Sequence, residues 1–147
     1  MRGWSMEARI NAEDPAKGFL PQGGRVKRLH LPMGPHVRVD SHLFVGYEVP
    51  LHYDSMLMKL ITHGRTRAEA AARMKRALQE LIIEGCTTTA SFHEALLRHP
   101  DFMKGDFSTG FLEKEKDYFE ERLRNHLGGA PADLSALLAS VLVLGKG

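Results

Sequence analysis

Residues 66–85 read TRAEAAARMKRALQELIIEG, and their apolar positions fall at Ala70, Met74, Ala77, Leu78, Leu81 and Ile82. Steps of this kind put the side chains on one face of an amphipathic helix. Thr66 and Glu69 have the spacing of a capping box, in which a hydroxyl and a carboxylate satisfy free amides of the first turn. Gly85 stands where the chain should leave the helix. The spacing predicts a helix from Thr66 to Glu84.

Upstream of that helix the period is two. Met1 is followed by Arg-Gly-Trp-Ser-Met-Glu-Ala-Arg-Ile, which alternates polar and apolar residues like a half-buried strand. A chain that opens on a strand reads as a stretch cut from a longer polypeptide or as a short protein that begins with a strand. Residues 11–24 hold Asp14-Pro15, Gly18, Pro21 and Gly23-Gly24, and read as a loop. Arg25 to Leu31 alternates again, with Val26, Leu29 and Leu31 as the buried members. After the break at Pro32, Gly34 and Pro35, Val37 to Asp40 is a short strand. Met56 to Thr62 is a buried one, in which Lys59 needs an exposed end or an ion partner.

Downstream the period is helical. One helix is expected from Thr89 to Arg98, stopped by Pro100. A charged helix is expected from Glu113 to His126, ending at Gly128-Gly129. A shorter amphipathic segment follows Pro131, carrying Leu134, Leu137, Leu138, Val141 and Leu142. Strands first and helices later give an α+β fold, with helices packed on one antiparallel sheet. The expected division is a domain over residues 1–115, with residues 116–147 as a helical tail or the start of a linker to a further domain.

A chain of 147 residues is one domain's worth, and 43% hydrophobic content supports an ordinary core. Twenty basic residues against 18 acidic ones leave a net charge of +2, too balanced to imply a nucleic-acid or membrane partner. The single cysteine, Cys86, excludes an intrachain disulfide and fits a reducing compartment. Leu134 to Leu144 is the longest strongly apolar tract and is too short to span a bilayer. The composition therefore leads to the expectation of a soluble, cytoplasmic protein.

Most motif chemistry is missing from the sequence. Gly23-Gly24 has no Gly-Lys-Ser/Thr sequel and is a turn, not a phosphate loop. None of the eight histidines pair at helical spacing for a metal, so His36 and His42, like His93 and His99, read as scattered polar residues. Asp40-Ser41-His42 contains the residue types of a hydrolase triad, but neighbours on a strand face opposite sides. Arg25, Lys27 and Arg28 lack aromatic neighbours for stacking on nucleic acid and read as a solvated sheet face. The apolar face at Leu134 to Leu142 fits either a partner or its own domain.

Four blocks, in order, resemble the C-terminal domain of biotin carboxylases. They are Glu7-Ala8-Arg9-Ile10-Asn11-Ala12-Glu13-Asp14-Pro15 with Phe19-Leu20-Pro21; Val37-Arg38-Val39-Asp40-Ser41; Tyr53-Asp54-Ser55-Met56 with Lys59-Leu60-Ile61 and Gly64; and His99-Pro100-Asp101-Phe102 with Thr109-Gly110-Phe111-Leu112-Glu113. The resemblance runs over about residues 3–115. It implies part of a ligase that uses ATP, Mg2+ or Mn2+ and bicarbonate to carboxylate biotin on a carrier protein, through a carboxyphosphate intermediate. Nucleotide and metal binding are implied for an upstream ATP-grasp portion, so this stretch alone is expected to be inactive and to bind no cofactor. The implied partners are that upstream portion, the biotin carboxyl carrier domain and a second copy in a homodimer, within an acetyl-CoA or propionyl-CoA carboxylase of fatty acid biosynthesis.

Residue by residue, the resemblance implies that Arg9 is catalytic, lying near the ureido oxygen of biotin. Loss of the N1 proton leaves an enolate-like oxyanion that a fixed guanidinium stabilises. Read without the resemblance, Arg9 is an arginine pairing with Glu7 or Glu13. Arg38 matches an arginine at the homodimer interface, remote from the active site, and Asp54 and Arg73 match a pair near the same interface. Read without the resemblance, each of these three is a solvated surface charge. Thr87-Thr88-Thr89 stands where the family usually has Thr-Asn, and Gly23 replaces a common proline. Two alternatives remain open: a stand-alone dimerisation or docking module, and the equivalent part of a pyruvate or urea carboxylase.

Overall fold

A computed structural model describes residues 2–51 and 54–128, with side chains placed up to residue 124. The expected segment at Leu134 to Leu142 lies outside the described residues. The centre of the fold is strand β8 (Met56–Gly64), which pairs antiparallel with β1 (Trp4–Asn11) on one side and β6 (Val37–Ser41) on the other. The remaining strands form three two-stranded antiparallel ladders. They are β2 (Glu13–Asp14) with β3 (Leu20–Pro21), β4 (Gly24–Arg25) with β7 (Glu48–Val49), and β5 (Arg28–His30) with β9 (Ile82–Glu84). The α+β expectation holds, with the one expected sheet resolved into a three-stranded sheet and these smaller ladders.

Helix α1 (Arg67–Glu80) covers one face of the sheet and buries Ala70, Ala71, Met74, Ala77 and Leu78 against it. From the sheet side Ala8, Ile10, Leu57, Met58 and Leu60 close the same core. Two features set how near the helix approaches. The buried Thr62 hydroxyl donates to the carbonyl of Ala70 at 2.9 Å. A Cβ on Gly64 would lie 2.5 Å from the Ala70 amide nitrogen, so no larger residue fits there without displacing the helix start.

The capping box is half formed. Thr66 accepts from the Glu69 amide at 3.2 Å, but the Glu69 carboxylate accepts from the Arg65 amide and not from Thr66. The helix also ends earlier than its apolar period predicts. The Leu81 amide closes the last turn on Ala77 and Leu78, and Ile82 and Ile83 then join a ladder with β5. An apolar Leu-Ile-Ile run suits a strand as well as a helix, and the open edge of β5 decides between them. Gly85 serves the return from that strand. Its φ is +110°, and a Cβ there would clash with the Arg25 carbonyl.

The predicted loop at residues 11–24 contains the β2–β3 ladder around a 3-10 turn, Pro15–Lys17, capped by Asp14. The strand expected over Arg25 to Leu31 is interrupted at Val26 and Lys27. Val26 is fully buried, whereas Leu29 and Leu31 are only half-buried. Helix α2 (Ala90–Leu96) stops before His99, and Pro100 opens a new helix, α3 (Pro100–Lys104), where its missing amide costs nothing. The single charged helix expected from Glu113 is two, α4 (Phe111–Lys114) and α5 (Lys116–Gly128). Phe119 and Leu123 of α5 are buried, and Phe119 joins Ala95 of α2 and Phe111 in a second, smaller core.

Replacing Thr62 by valine should cost about 1–2 kcal/mol, because the Ala70 carbonyl loses a buried donor. Gly64→Ala should cost more than Thr62→Val, since it moves backbone and not a hydroxyl. Urea unfolding of the two variants beside the wild-type chain checks the order.

Candidate functional site

Residues directly opposite each other on antiparallel strands share a face. The register therefore puts Arg9, Lys59 and Asp40 in one row across the outer face of the three-stranded sheet, and Glu7, Ile61 and Arg38 in the next. The intervening residues Ala8, Ile10, Met58 and Leu60 are buried beneath. Alternation along β1 thus decides that Arg9 projects outward while Ile10 anchors its strand in the core.

Arg9 is 67% exposed and donates through Nε to Glu7 at 3.1 Å. Glu13 is not its partner: that carboxylate accepts from Asn11 Nδ2 and from the Ser55 hydroxyl. Among the described residues the two terminal nitrogens of Arg9 have no hydrogen-bond partner, so the outer fork of the guanidinium is open. An exposed pair such as Arg9–Glu7 holds weakly and yields readily to a better anion.

The backbone beneath Arg9 is held tightly. Strand β1 is a sheet edge, and its free side is taken up by the start of α2. The Arg9 carbonyl accepts from the Thr89 hydroxyl at 3.1 Å and from His93 Nε2 at 2.9 Å. The same hydroxyl accepts from the Asn11 amide at 3.0 Å, and the Thr89 amide donates to the Asn11 carbonyl at 3.0 Å. Thr89 is buried, so these bonds satisfy an edge that water does not reach there. His93, read from sequence as a scattered polar residue, is one of the groups that meet at Arg9. Its four-residue spacing from Thr89 on α2 is the signal that could have shown both on one helix face.

The expected interface residues sit apart from one another. Arg38 is exposed and bonded bidentately to Asp40 at 2.8 and 2.9 Å. That hydrogen bond, helped by the charges of Arg38 and Lys59, holds the Asp40 carboxyl below its ordinary range against a smaller opposing effect of burial. Arg38 and Arg9 lie on the same sheet face, on the order of 12 Å apart by strand spacing. Arg73 is half-buried at the seam of α1 and β8, donating to the His63 carbonyl and 3.7 Å from Glu69. Asp54 precedes β8 and accepts from the Met56 amide at 3.0 Å.

Asp40 is bound to Arg38, and the Ser41 hydroxyl donates to the Leu57 carbonyl, so neither engages His42 in a relay. Arg25 and Arg28 pair with Glu48 and Glu84 at 3.6 and 3.2 Å, as a solvated face should. Burial pushes the Cys86 thiol up, which makes it a poor nucleophile. One cluster escaped the sequence: ligand atoms of His99, Asp101 and Glu115 lie within 4.8 Å of one another. Both ring nitrogens of the buried His99 are engaged, Nδ1 accepting from the Asp101 amide and Nε2 facing Glu115 at 3.4 Å. Phe111 and Tyr118 close over the ring at 4.9 and 4.5 Å. The cluster is a helix cap built into the second core.

Residues 7–114 match the biotin carboxylase C-terminal domain. The chain belongs to that family. It is 55% identical over 111 residues to biotin carboxylase 1 of Bacillus subtilis (strain 168), covering 76% of this chain and 25% of that protein. The biotin carboxylase subunit of pyruvate carboxylase superposes with a TM-score of 0.79 at 40% identity, over 82% of this chain and 27% of that one. The biotin carboxylase domain dimer of Hydrogenobacter thermophilus 2-oxoglutarate carboxylase, solved with MgADP, ADP and bicarbonate, gives 0.79 at 39%, over 81% and 26%. The chain thus spans about a quarter of the length of these relatives. Among its described residues no helix is long and apolar enough to cross a membrane.

An apolar cleft of about 410 Å³ is lined by Phe19, Phe92, Phe119, Leu123 and Arg124, but Arg9 is not part of it. Within this biotin carboxylase domain Arg9 stands on an open face, without walls of its own.

Burial holds the His93 imidazole below its ordinary value of 6.5, partly offset by its bond to the Arg9 carbonyl. The folded chain therefore binds a proton at His93 less readily than the unfolded chain does. The stability this gives is fully present above pH 6.5 and is lost as pH falls through the lower folded value. Chemical denaturation between pH 7.5 and 5.5 should show falling stability, and His93→Gln should flatten that slope. The carboxylates Asp40 and Glu69 act only at lower pH, near and below their ordinary 3.8 and 4.5.

Proposed function

We propose that this chain is the C-terminal part of an ATP-dependent biotin carboxylase, and that Arg9 is its contribution to the chemistry. The complete enzyme would use ATP and bicarbonate to carboxylate N1 of biotin on a carrier protein. The observation that carries the reading is the outward guanidinium of Arg9, with both terminal nitrogens unpartnered among the described residues, on a strand rigidly fixed from below. A guanidinium presented in this way meets an oxygen that gains negative charge during the reaction, and it needs no rearrangement to do so. The chain's own residues bind and orient; ATP, Mg2+ or Mn2+ and bicarbonate would be held by an ATP-grasp portion outside it. The open face around Arg9 supports that division, because its walls must come from elsewhere.

The same reading makes residues 1–115 the domain proper and residues 116–147 a tail or linker, whose first helix packs back on α2. Arg38, Asp54 and Arg73 belong near a homodimer contact, and the fork of Arg38 already grips a carboxylate bidentately, as such a contact would require. The balanced charge fits a cytoplasmic enzyme of the acetyl-CoA or propionyl-CoA carboxylase type, serving fatty acid biosynthesis. The final acyl acceptor is chosen by a separate carboxyltransferase.

In the complete enzyme, Arg9→Gln should lower kcat for biotin carboxylation about 10²-fold. Thermal stability should stay close to wild type, because the Arg9–Glu7 pair is exposed. Turnover equal to wild type would overturn the role. Arg38→Glu should weaken self-association of the complete subunit, read by sedimentation velocity across a dilution series.

A further inference from the structure

We propose that His93 is a positioning residue for Arg9, acting through the main-chain carbonyl and never touching substrate. This inference rests on the catalytic reading of Arg9 and adds a second residue to it. An edge strand carries carbonyls and amides with no ladder partner, and such edges fray or pair with water. At Arg9 the edge is instead closed by two side chains, one from the cap residue of α2 and one from the helix itself. Thr89 and His93, one helical turn apart, donate to the two lone pairs of one carbonyl oxygen at 3.1 and 2.9 Å. The Thr89 hydroxyl also accepts from Asn11, so it braces both peptide groups that flank Ile10. Ile10 is completely buried, which fixes the strand from the core side. With the peptide plane held at both edges, the Cα–Cβ direction of Arg9 is fixed, and with it the arc over which the exposed guanidinium can move.

The chemistry of the ring suits this task. A carbonyl can only accept, so the neutral imidazole must carry its proton on Nε2 to make the bond. Half-burial favours that neutral form, so the clamp places no positive charge behind a guanidinium that must attract an anion. Lysine or arginine in the same place would donate equally well but would add a competing cation. No other histidine of the described residues bonds to the backbone of β1's central residues.

Displacement of a catalytic group by about 1 Å can cost on the order of 10²-fold in rate. Four variants of the complete enzyme test the clamp: His93→Leu, His93→Asn, His93→Gln and the double variant His93→Leu with Arg9→Gln. We expect His93→Leu and His93→Asn to lower kcat roughly 10- to 100-fold, with KM for ATP and bicarbonate within twofold of wild type. His93→Gln, whose amide reaches the carbonyl, should recover most of the loss. In the Arg9→Gln background His93→Leu should have no further effect. The proposal is overturned if His93→Asn turns over like wild type, if His93→Gln is as slow as His93→Asn, or if His93→Leu slows the Arg9→Gln enzyme as much as the wild type. If His93→Leu fails to fold, the asparagine and glutamine pair alone decides. Arg9→Gln measured by itself fails separately, since full activity there would remove the catalytic reading while leaving the His93 contact intact.

Discussion

Strand β8 meets two demands at once: it must bond to a strand on each side and admit a helix against its inner face at close range. Its inner residues Met58, Leu60 and Thr62 are buried, and the last of them spends its hydroxyl on the Ala70 carbonyl. Gly64 follows because anything larger would meet the Ala70 backbone. With β8 placed, the register of β1 and β6 follows, and so does the face on which every charged residue of the sheet appears. A slip of one residue in β1 would bury Arg9 and expose Ile10, so the burial of Ile10 and Ala8 secures the outward position of Arg9.

Two cores divide the work. The larger lies between the sheet and α1 and is aliphatic. The smaller is aromatic, with Phe92, Phe111, Tyr118 and Phe119 gathered near His99, and it locks the C-terminal helices to α2. Since α2 also supplies Thr89 and His93 to the edge of β1, the second core steadies the clamp behind Arg9 indirectly. The outer sheet face is the reverse of these cores. Four of its charges are paired over short distances, Arg9 with Glu7 and Arg38 with Asp40. Pairs of that kind add little to stability. They leave a polar, solvated surface on the side of the sheet away from α1.

Local alternation, apolar runs and capping were enough to read the alternating strand ending at Ile10, the buried strand at Met56–Thr62, the start of α1 at Thr66, and the α+β class. The sequence by itself also marked Arg9, through a run of residues specific enough to name a family. The tertiary structure alone decided where α1 ends, since Leu81-Ile82-Ile83 fits either state until β5 offers a partner. It also made Pro100 the first residue of α3 instead of a simple stop, and brought His99 and Glu115 together across 16 residues of chain. The clamp on Arg9 was equally hidden, because Thr89 and His93 lie about 80 residues from the carbonyl they bind. Periodicity reports which face a residue occupies; which edge that face meets depends on contacts that no local pattern records.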